Sequence, residues 1–178
     1  MADSIPNTPP GVHEVPHSHT PVSRAFRGLL RAAHHAVTSE NDLEFAGGAR
    51  FDPSLALFQS EADEAWSALD AALETVLTTP NRRAADRALK QIAQVYQLCL
   101  SLTDYGDMLA LYERYIRHSG LFRVRGATAS DRAVDALIDE ADTLLNALFG
   151  LERFGAVAYH RDDDPDPTPT EALTARAA

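Results

Sequence analysis

The segment that decides the fold runs from Phe51 to Pro80 and is FDPSLALFQSEADEAWSALDAALETVLTTP. Asp52 is the expected N-cap, Pro53 suits the first turn of a helix, and Pro80 marks its end. The apolar side chains recur every three or four residues and so share one helix face: Leu55, Phe58, Ala62, Trp66, Leu69, Leu73 and Val76. A continuous apolar face needs other helices to cover it, so this segment predicts a helical bundle.

The chain after this segment repeats the same spacing. Residues 81–103 predict a second long helix with the apolar set Ala85, Leu89, Ile92, Tyr96, Cys99 and Leu102 or Thr103. The short link at Thr79 and Pro80 predicts that the two helices are antiparallel neighbours. A shorter helix is expected between Gly106 and Gly120. A last helix, capped by Ser130, carries Val134, Leu137, Ala141, Leu144, Leu148 and Leu151 on one face.

The chain before Phe51 predicts a cationic amphipathic helix over residues 22–38. Its apolar face consists of Val22, Phe26, Leu29, Leu30, Ala33 and Val37, and its opposite side carries Arg24, Arg27, Arg31 and His35. The stretch TSENDLEFAGGARF, residues 38–51, separates this helix from the rest. The helix is therefore either part of the core or a peripheral element that detaches and binds a groove on a partner.

These elements predict an all-α fold, an antiparallel bundle of four to five helices over residues 22–159. Alternation typical of a strand occurs only at 121–125. Residues 1–21 hold five of the 10 prolines and are expected to form a disordered arm. Residues 160–178, with an acidic run at Asp162, Asp163, Asp164 and Asp166, are expected to form a disordered tail.

The charge balance limits the partners. There are 16 Lys and Arg against 26 Asp and Glu, a formal net charge of -10, which argues against nucleic acid. A secretory signal and an apolar run of membrane-spanning length are both missing from the sequence, so a cytoplasmic location is expected. The single cysteine, Cys99, falls on an apolar helix face, which predicts a buried thiol.

Basic side chains are the candidate partner-binding residues. They are Arg24, Arg27, Arg31, His35, Arg83, Arg87, Lys90, Arg123 and Arg125. Fifteen of the 16 Lys and Arg residues are arginine, whose planar guanidinium suits carboxylates and phosphates, although arginine-rich codon usage explains the same count. Arg82 and Arg83 begin the second long helix, where the helix dipole disfavours cations, and acidic side chains on two other helices could pair with them: Asp63, Asp70 and Glu74 on one, and Asp135, Asp139 and Asp142 on the other. Alternatively, all of these charges are solvated helix faces.

A small polar pocket is the second candidate site. Its residues would be Trp66, Asp104, Tyr105, Asp107 and Tyr112, although helix capping explains the two aspartates equally well. His34 and His35 are adjacent, so on a helix their side chains diverge and form a poor chelate. The common catalytic motifs are missing from the sequence, so we predict no catalytic, cofactor-binding or metal-ligating residue and no cofactor.

Three functions compete at this point. The favoured one is a non-catalytic adaptor or regulatory protein whose cationic first helix docks on the acidic surface of a protein partner. The alternative is a small-molecule-binding or enzymatic bundle with its pocket near Tyr105 and Tyr112. The third is association of amphipathic helices with a membrane or a hydrophobic granule, which the acidic remainder of the chain disfavours. The apolar faces suit a monomer or a homodimer.

Overall fold

A computed structural model describes residues 20–47, 53–124, 126 and 128–154, and these ranges form five α-helices. The helices are α1 (Pro21–Gly47), α2 (Leu55–Thr78), α3 (Ala84–Ser101), α4 (Tyr105–His118) and α5 (Ala129–Phe149). Two short 3₁₀ turns follow α4 and α5, at Ser119–Leu121 and Glu152–Phe154. No strand occurs in the described ranges, so the prediction of an all-α bundle is confirmed. The expected tail at 160–178, and all but the last two residues of the expected arm at 1–21, lie outside the described residues.

Helix α1 packs against three other helices of the bundle. Its contact with α2 is the most extensive between any two elements, and it also touches α3 and α5. Val22, Phe26, Leu29 and Ala33 are completely buried, so the apolar face predicted for this helix is part of the core. The structure therefore places α1 inside the bundle and not at its periphery.

Both ends of α1 differ from the expected boundaries. Thr20 is buried and caps the helix, because its Oγ1 accepts a hydrogen bond from the Ser23 amide at 3.0 Å. Pro21 occupies the first helical position, where its missing N–H costs nothing. The helix then runs nine residues past the expected end at Thr38, since Glu40 and Ala46 are buried against the bundle. Tertiary burial explains the extension, which the polar sequence of this segment does not indicate.

Asp86 anchors the start of α3. Its carboxylate accepts hydrogen bonds from the backbone amides of Arg82 and Arg83, at 2.7 and 3.0 Å, and from the Thr20 hydroxyl at 2.5 Å. An acidic side chain at this position also faces the positive end of the helix dipole. The buried carboxylate thus joins the first turns of α3 and α1.

Helix α5 is capped by Thr128, and the prediction of Ser130 as its cap was wrong. Thr128 Oγ1 accepts from the Asp131 amide at 3.1 Å, and the Asp131 carboxylate accepts from the Thr128 amide at 3.2 Å. Such a reciprocal pair satisfies two backbone amides at once, which a cap at Ser130 would leave unpaired. All six apolar side chains predicted to line this helix are buried, with Leu151 just beyond its end.

Candidate interaction surface

The outer face of α1 carries a stripe of basic side chains. Arg24, Arg31, His34 and His35 are exposed, and Arg27 beside them is half-buried. Because the opposite face of α1 is sealed in the core, the helix holds this stripe in a fixed orientation toward solvent. The structure therefore brings together the four side chains that the sequence predicted for this helix, and His34 lies beside them.

The α1 stripe is uniform in sign. Between Pro21 and Ser39 the helix has no Asp or Glu, and its first carboxylate belongs to Glu40. In the part of the chain that the structure describes, neither Arg24 nor Arg31 has a carboxylate within ion-pair distance. A positive surface thus lies on a protein whose net charge is -10.

Two of the three basic residues predicted at the start of α3 and within it form hydrogen bonds inside the bundle. Lys90 Nζ donates to the carbonyl of Leu77 at 2.7 Å, where the C-terminal end of α2 presents unpaired carbonyls. Arg83 Nη1 donates to Ser130 Oγ at 3.1 Å and so links α3 to α5. Arg87 is exposed. Of these three, Lys90 and Arg83 stabilise the bundle.

Arg123 follows α4 and binds α5 of its own chain. Its Nη2 lies 2.6 Å from Asp139 Oδ1 and 3.4 Å from Asp142 Oδ2, and its Nη1 donates to the carbonyl of Asp135 at 3.2 Å. The neighbouring amide of Val124 donates to Asp135 Oδ1 at 3.0 Å. The acidic partner expected for this loop is therefore α5 itself. Arg125, the other arginine predicted here, lies outside the described residues.

The electrostatics of this loop favour the charged guanidinium. Burial acts to lower the pKa of Arg123, but the hydrogen bond and charge of Asp139, together with Asp142 and Asp135, outweigh it and raise that pKa. Burial also raises the pKa of the Asp142 carboxyl, although the Tyr115 hydroxyl and Arg123 act in the opposite direction. Arg123 is thus a cation that bridges the carboxylates of Asp139 and Asp142 on α5.

Two buried tyrosines extend this network into the core. The Tyr115 hydroxyl donates to Asp142, and the Tyr96 hydroxyl donates to the carbonyl of Ala141. Burial raises the pKa of Tyr96, and burial together with the bond to Asp142 raises the pKa of Tyr115. Both hydroxyls therefore keep their protons at neutral pH and serve as donors instead of bases.

The residues of the predicted pocket take part in different local structures. Asp104 caps α4, since its Oδ1 accepts from the Asp107 amide at 2.9 Å, and Tyr105 begins that helix. Tyr112 stacks on Phe149, with ring centroids 4.6 Å apart. Trp66 packs instead against the turn after α5, 5.7 Å from the ring of Phe154. Capping, the alternative that the sequence left open for the aspartates, accounts for Asp104.

The environment of Trp66 was missed by the sequence analysis. Its Nε1 donates to Glu40 Oε2 at 2.7 Å, and the Arg153 guanidinium lies 4.8 Å from the centre of its ring. Arg153 also approaches Glu40 Oε2, at 3.8 Å. A cleft of about 650 Å³ adjoins this group and is lined by Glu40, Leu43, Glu44, Gly47, Leu55, Glu152 and Arg153. The sequence placed Glu40 in a connecting segment, so nothing indicated a buried carboxylate there.

A second stripe, of opposite sign, follows α2. The helix contains five carboxylates and no basic residue: Glu61, Asp63, Glu64, Asp70 and Glu74, all exposed. The acidic shoulder predicted from Asp63, Asp70 and Glu74 is thus present. Within the described ranges none of the three forms an ion pair with a basic side chain.

The described residues were also searched for a reactive thiol, for metal ligands and for a membrane-spanning helix. The Cys99 thiol is buried as predicted, and burial raises its pKa to about 11, so little reactive thiolate is present at neutral pH. Across the described ranges, no three His, Cys, Asp or Glu side chains are grouped to hold a metal ion. Each described helix also lacks the length and apolarity that crossing a membrane requires.

The fold and this surface define an all-α bundle with oppositely charged stripes on two neighbouring helices. No protein-family model, curated protein or solved structure gives a match to this chain.

Proposed function

We propose that this protein is a non-catalytic interaction protein that docks on an acidic protein surface through the basic stripe of α1. The observation that carries the proposal is the exposed, carboxylate-free stripe of Arg24, Arg31 and His35 on a helix whose other face is sealed in the core. The docking element is the folded bundle, because releasing α1 would expose Phe26 and the rest of its apolar face.

Electrostatic complementarity supports this role more than any catalytic one. The planar guanidinium of arginine binds a carboxylate through two parallel hydrogen bonds. In addition, a surface stripe whose charges all have one sign steers an oppositely charged partner as the two proteins approach. By contrast, the buried tyrosines near Asp142 hold their protons, and Arg123 is fully engaged by α5. A reducing, cytoplasmic setting is part of the proposal and agrees with the unpaired, buried thiol of Cys99.

The test measures binding of a fluorescently labelled poly-glutamate peptide to the full chain by anisotropy. We expect Arg24→Glu combined with Arg31→Glu to weaken binding by about tenfold or more, because two attractive contacts become repulsive. The matched control is Arg114→Glu with Arg117→Glu, which makes the same change in net charge on exposed positions of α4. Equal losses in both variants would overturn the proposal, since they would show a response to net charge alone.

A further inference from the structure

The cleft beside Trp66 is formed by three segments that are distant in the sequence. It is lined by the C-terminal end of α1, by Leu55 at the start of α2, and by Glu152 and Arg153 in the 3₁₀ turn after α5. The backbone amide of Glu152 donates to Glu44 Oε1 at 2.7 Å and so joins this turn to α1. The volume of about 650 Å³ falls within the range of about 300–1,000 Å³ that is typical of small-molecule sites. The cleft therefore has the size of a ligand site, and its lining indicates the chemistry of the ligand.

Negative charge predominates in this cleft. Three carboxylates line it, those of Glu40, Glu44 and Glu152. Arg153 is the single basic side chain among the described residues of the lining. It approaches Glu40 Oε2 only to 3.8 Å, which is longer than a hydrogen bond, and 46% of its side chain is exposed. Within the described ranges, neither Glu44 nor Glu152 forms an ion pair with a basic side chain. One arginine thus leaves most of the negative charge of the cleft without a counterion.

The buried carboxylate of Glu40 presents an unused oxygen to the cleft. Glu40 is 6% exposed, and its Oε2 accepts from Trp66 Nε1 at 2.7 Å. No hydrogen bond from the described residues reaches its Oε1. Because every fully buried polar side-chain atom of the described residues has a partner, Oε1 is not fully buried and is open to the cleft that Glu40 lines. A buried carboxylate with one open oxygen favours a charged donor, since burial leaves little water to solvate it.

Two further features indicate that this donor is an organic cation. Helix α1 ends at the cleft with no basic side chain in its last turn, so the negative end of its dipole adds to the attraction for a cation. Leu43 and Leu55 contribute apolar surface to the lining. The described residues contain no group of three His, Cys, Asp or Glu side chains that could hold a metal ion. A positive group on an apolar stem therefore suits the cleft better than a metal ion does.

We propose that this cleft binds a small organic cation that carries a primary ammonium group on an aliphatic stem. The ammonium has three N–H donors, of which one binds Glu40 Oε1 while the others face Glu44 and Glu152. The stem packs on the apolar side chains of Leu43 and Leu55. The inference goes beyond the proposed function, because this site uses different residues from the α1 stripe and takes a ligand of the opposite charge.

Titration of the full chain with hexylamine, which is protonated at neutral pH, tests the site. Trp66 is the single tryptophan of the chain and is bonded to Glu40, so its fluorescence should change and saturate as the amine binds. Isothermal titration calorimetry follows the same binding without relying on the fluorophore. 1-Hexanol has the same stem without the charge, so it should bind more weakly by about tenfold or more.

The carboxylates of the cleft can be neutralised with little change of shape. Glu44→Gln with Glu152→Gln should weaken hexylamine binding by about tenfold, because two attractive charges are removed while an amide oxygen at position 44 can still accept from the backbone. Glu40→Gln should weaken it as well, since a neutral amide replaces the charged acceptor. The matched control is Glu113→Gln with Glu140→Gln, which makes the same change in net charge as the double variant on exposed positions of α4 and α5 and should leave binding unchanged.

Several results would overturn the inference. One is the absence of saturable binding in both measurements, and another is equal affinity for hexylamine and 1-hexanol, which would mean that the cleft does not recognise charge. Equal losses in the double variant and in its control would show a response to net charge alone. Tighter binding of the blocked tripeptide acetyl-Gly-Lys-Gly-amide would make the ligand a lysine side chain of a partner and not a free amine. Circular dichroism checks the fold of each variant, and if Glu40→Gln does not fold, the double variant at Glu44 and Glu152 still decides the test.

Discussion

Helices α2 and α5 each carry an acidic shoulder, but among the described residues only the shoulder of α5 is bound by a basic side chain. On α5, Asp139 and Asp142 are bound by Arg123, and Asp142 also accepts from Tyr115. On α2, Asp70 and Glu74 have no basic partner among the described residues. The two helices are alike in spacing and sign, so the difference comes from the segment after α4, which folds back onto α5 only. A charged helix face becomes structural or remains available according to what the rest of the chain places beside it.

The largest effect is expected from removing the cation that neutralises α5. Arg123→Ala should lower the free energy of unfolding by about 2 kcal/mol, because it leaves the partly buried carboxylate of Asp142 beside Asp139 without a counterion. Urea unfolding followed by circular dichroism measures this loss. Arg114→Ala, on an exposed position of α4, is the control and should change stability by less than about 0.5 kcal/mol. Equal effects of the two substitutions would mean that the α5 shoulder is no more structural than an ordinary surface.

A smaller effect is expected at Tyr115, and it should depend on pH. Tyr115→Phe removes the hydroxyl that donates to Asp142, so a loss of about 1 kcal/mol is expected at neutral pH. The raised pKa of Tyr115 means that the folded state holds this proton more tightly than the unfolded state does. This stabilisation is therefore complete below about pH 10, the ordinary value for tyrosine, and is lost as the pH rises above it.

Unfolding measured between neutral pH and about pH 11 checks that dependence. The original protein should lose stability above about pH 10 more steeply than Tyr115→Phe, so the difference between the two should shrink. Tyr96 also has a raised pKa and remains in the variant, so part of the alkaline loss should persist. Parallel curves for the two proteins would show that the proton of Tyr115 is not linked to folding.

The helices and the core could be predicted from the sequence because burial follows periodicity. The alternating apolar positions of α5, from Val134 to Leu148, are all buried, and the end of α2 before Pro80 is where the sequence indicated. The cap of α5 was missed because Thr128 and Ser130 are both good caps, and only the reciprocal bond with Asp131 distinguishes them.

The partners of the charged residues could not be predicted, since they depend on contacts between distant segments. Glu40 lies in a polar stretch, and its burial requires Trp66, 26 residues later, and Arg153 near the other end of the bundle sequence. Similarly, the sequence suggested that the α5 carboxylates pair with the arginines at the start of α3. In the structure Arg123 binds them instead. A helix wheel fixes which side chains share a face, but not which segment of the chain covers that face.

The smallest effect on the free energy of unfolding is expected when the carboxylates of the α2 shoulder are neutralised. This substitution is also the most direct test of the comparison between α2 and α5. Asp70 and Glu74 are four residues apart on one helix, so with no counterion they repel each other by a few tenths of a kcal/mol. Asp70→Asn with Glu74→Gln should therefore leave the free energy of unfolding unchanged or raise it slightly. Asp139→Asn should instead lower it, by up to about 1 kcal/mol, because Asp139 pairs with Arg123 at 2.6 Å. Urea unfolding of dilute protein, where association is negligible, compares the two signs. A clear loss of stability in the α2 variant would reveal an internal partner for these carboxylates.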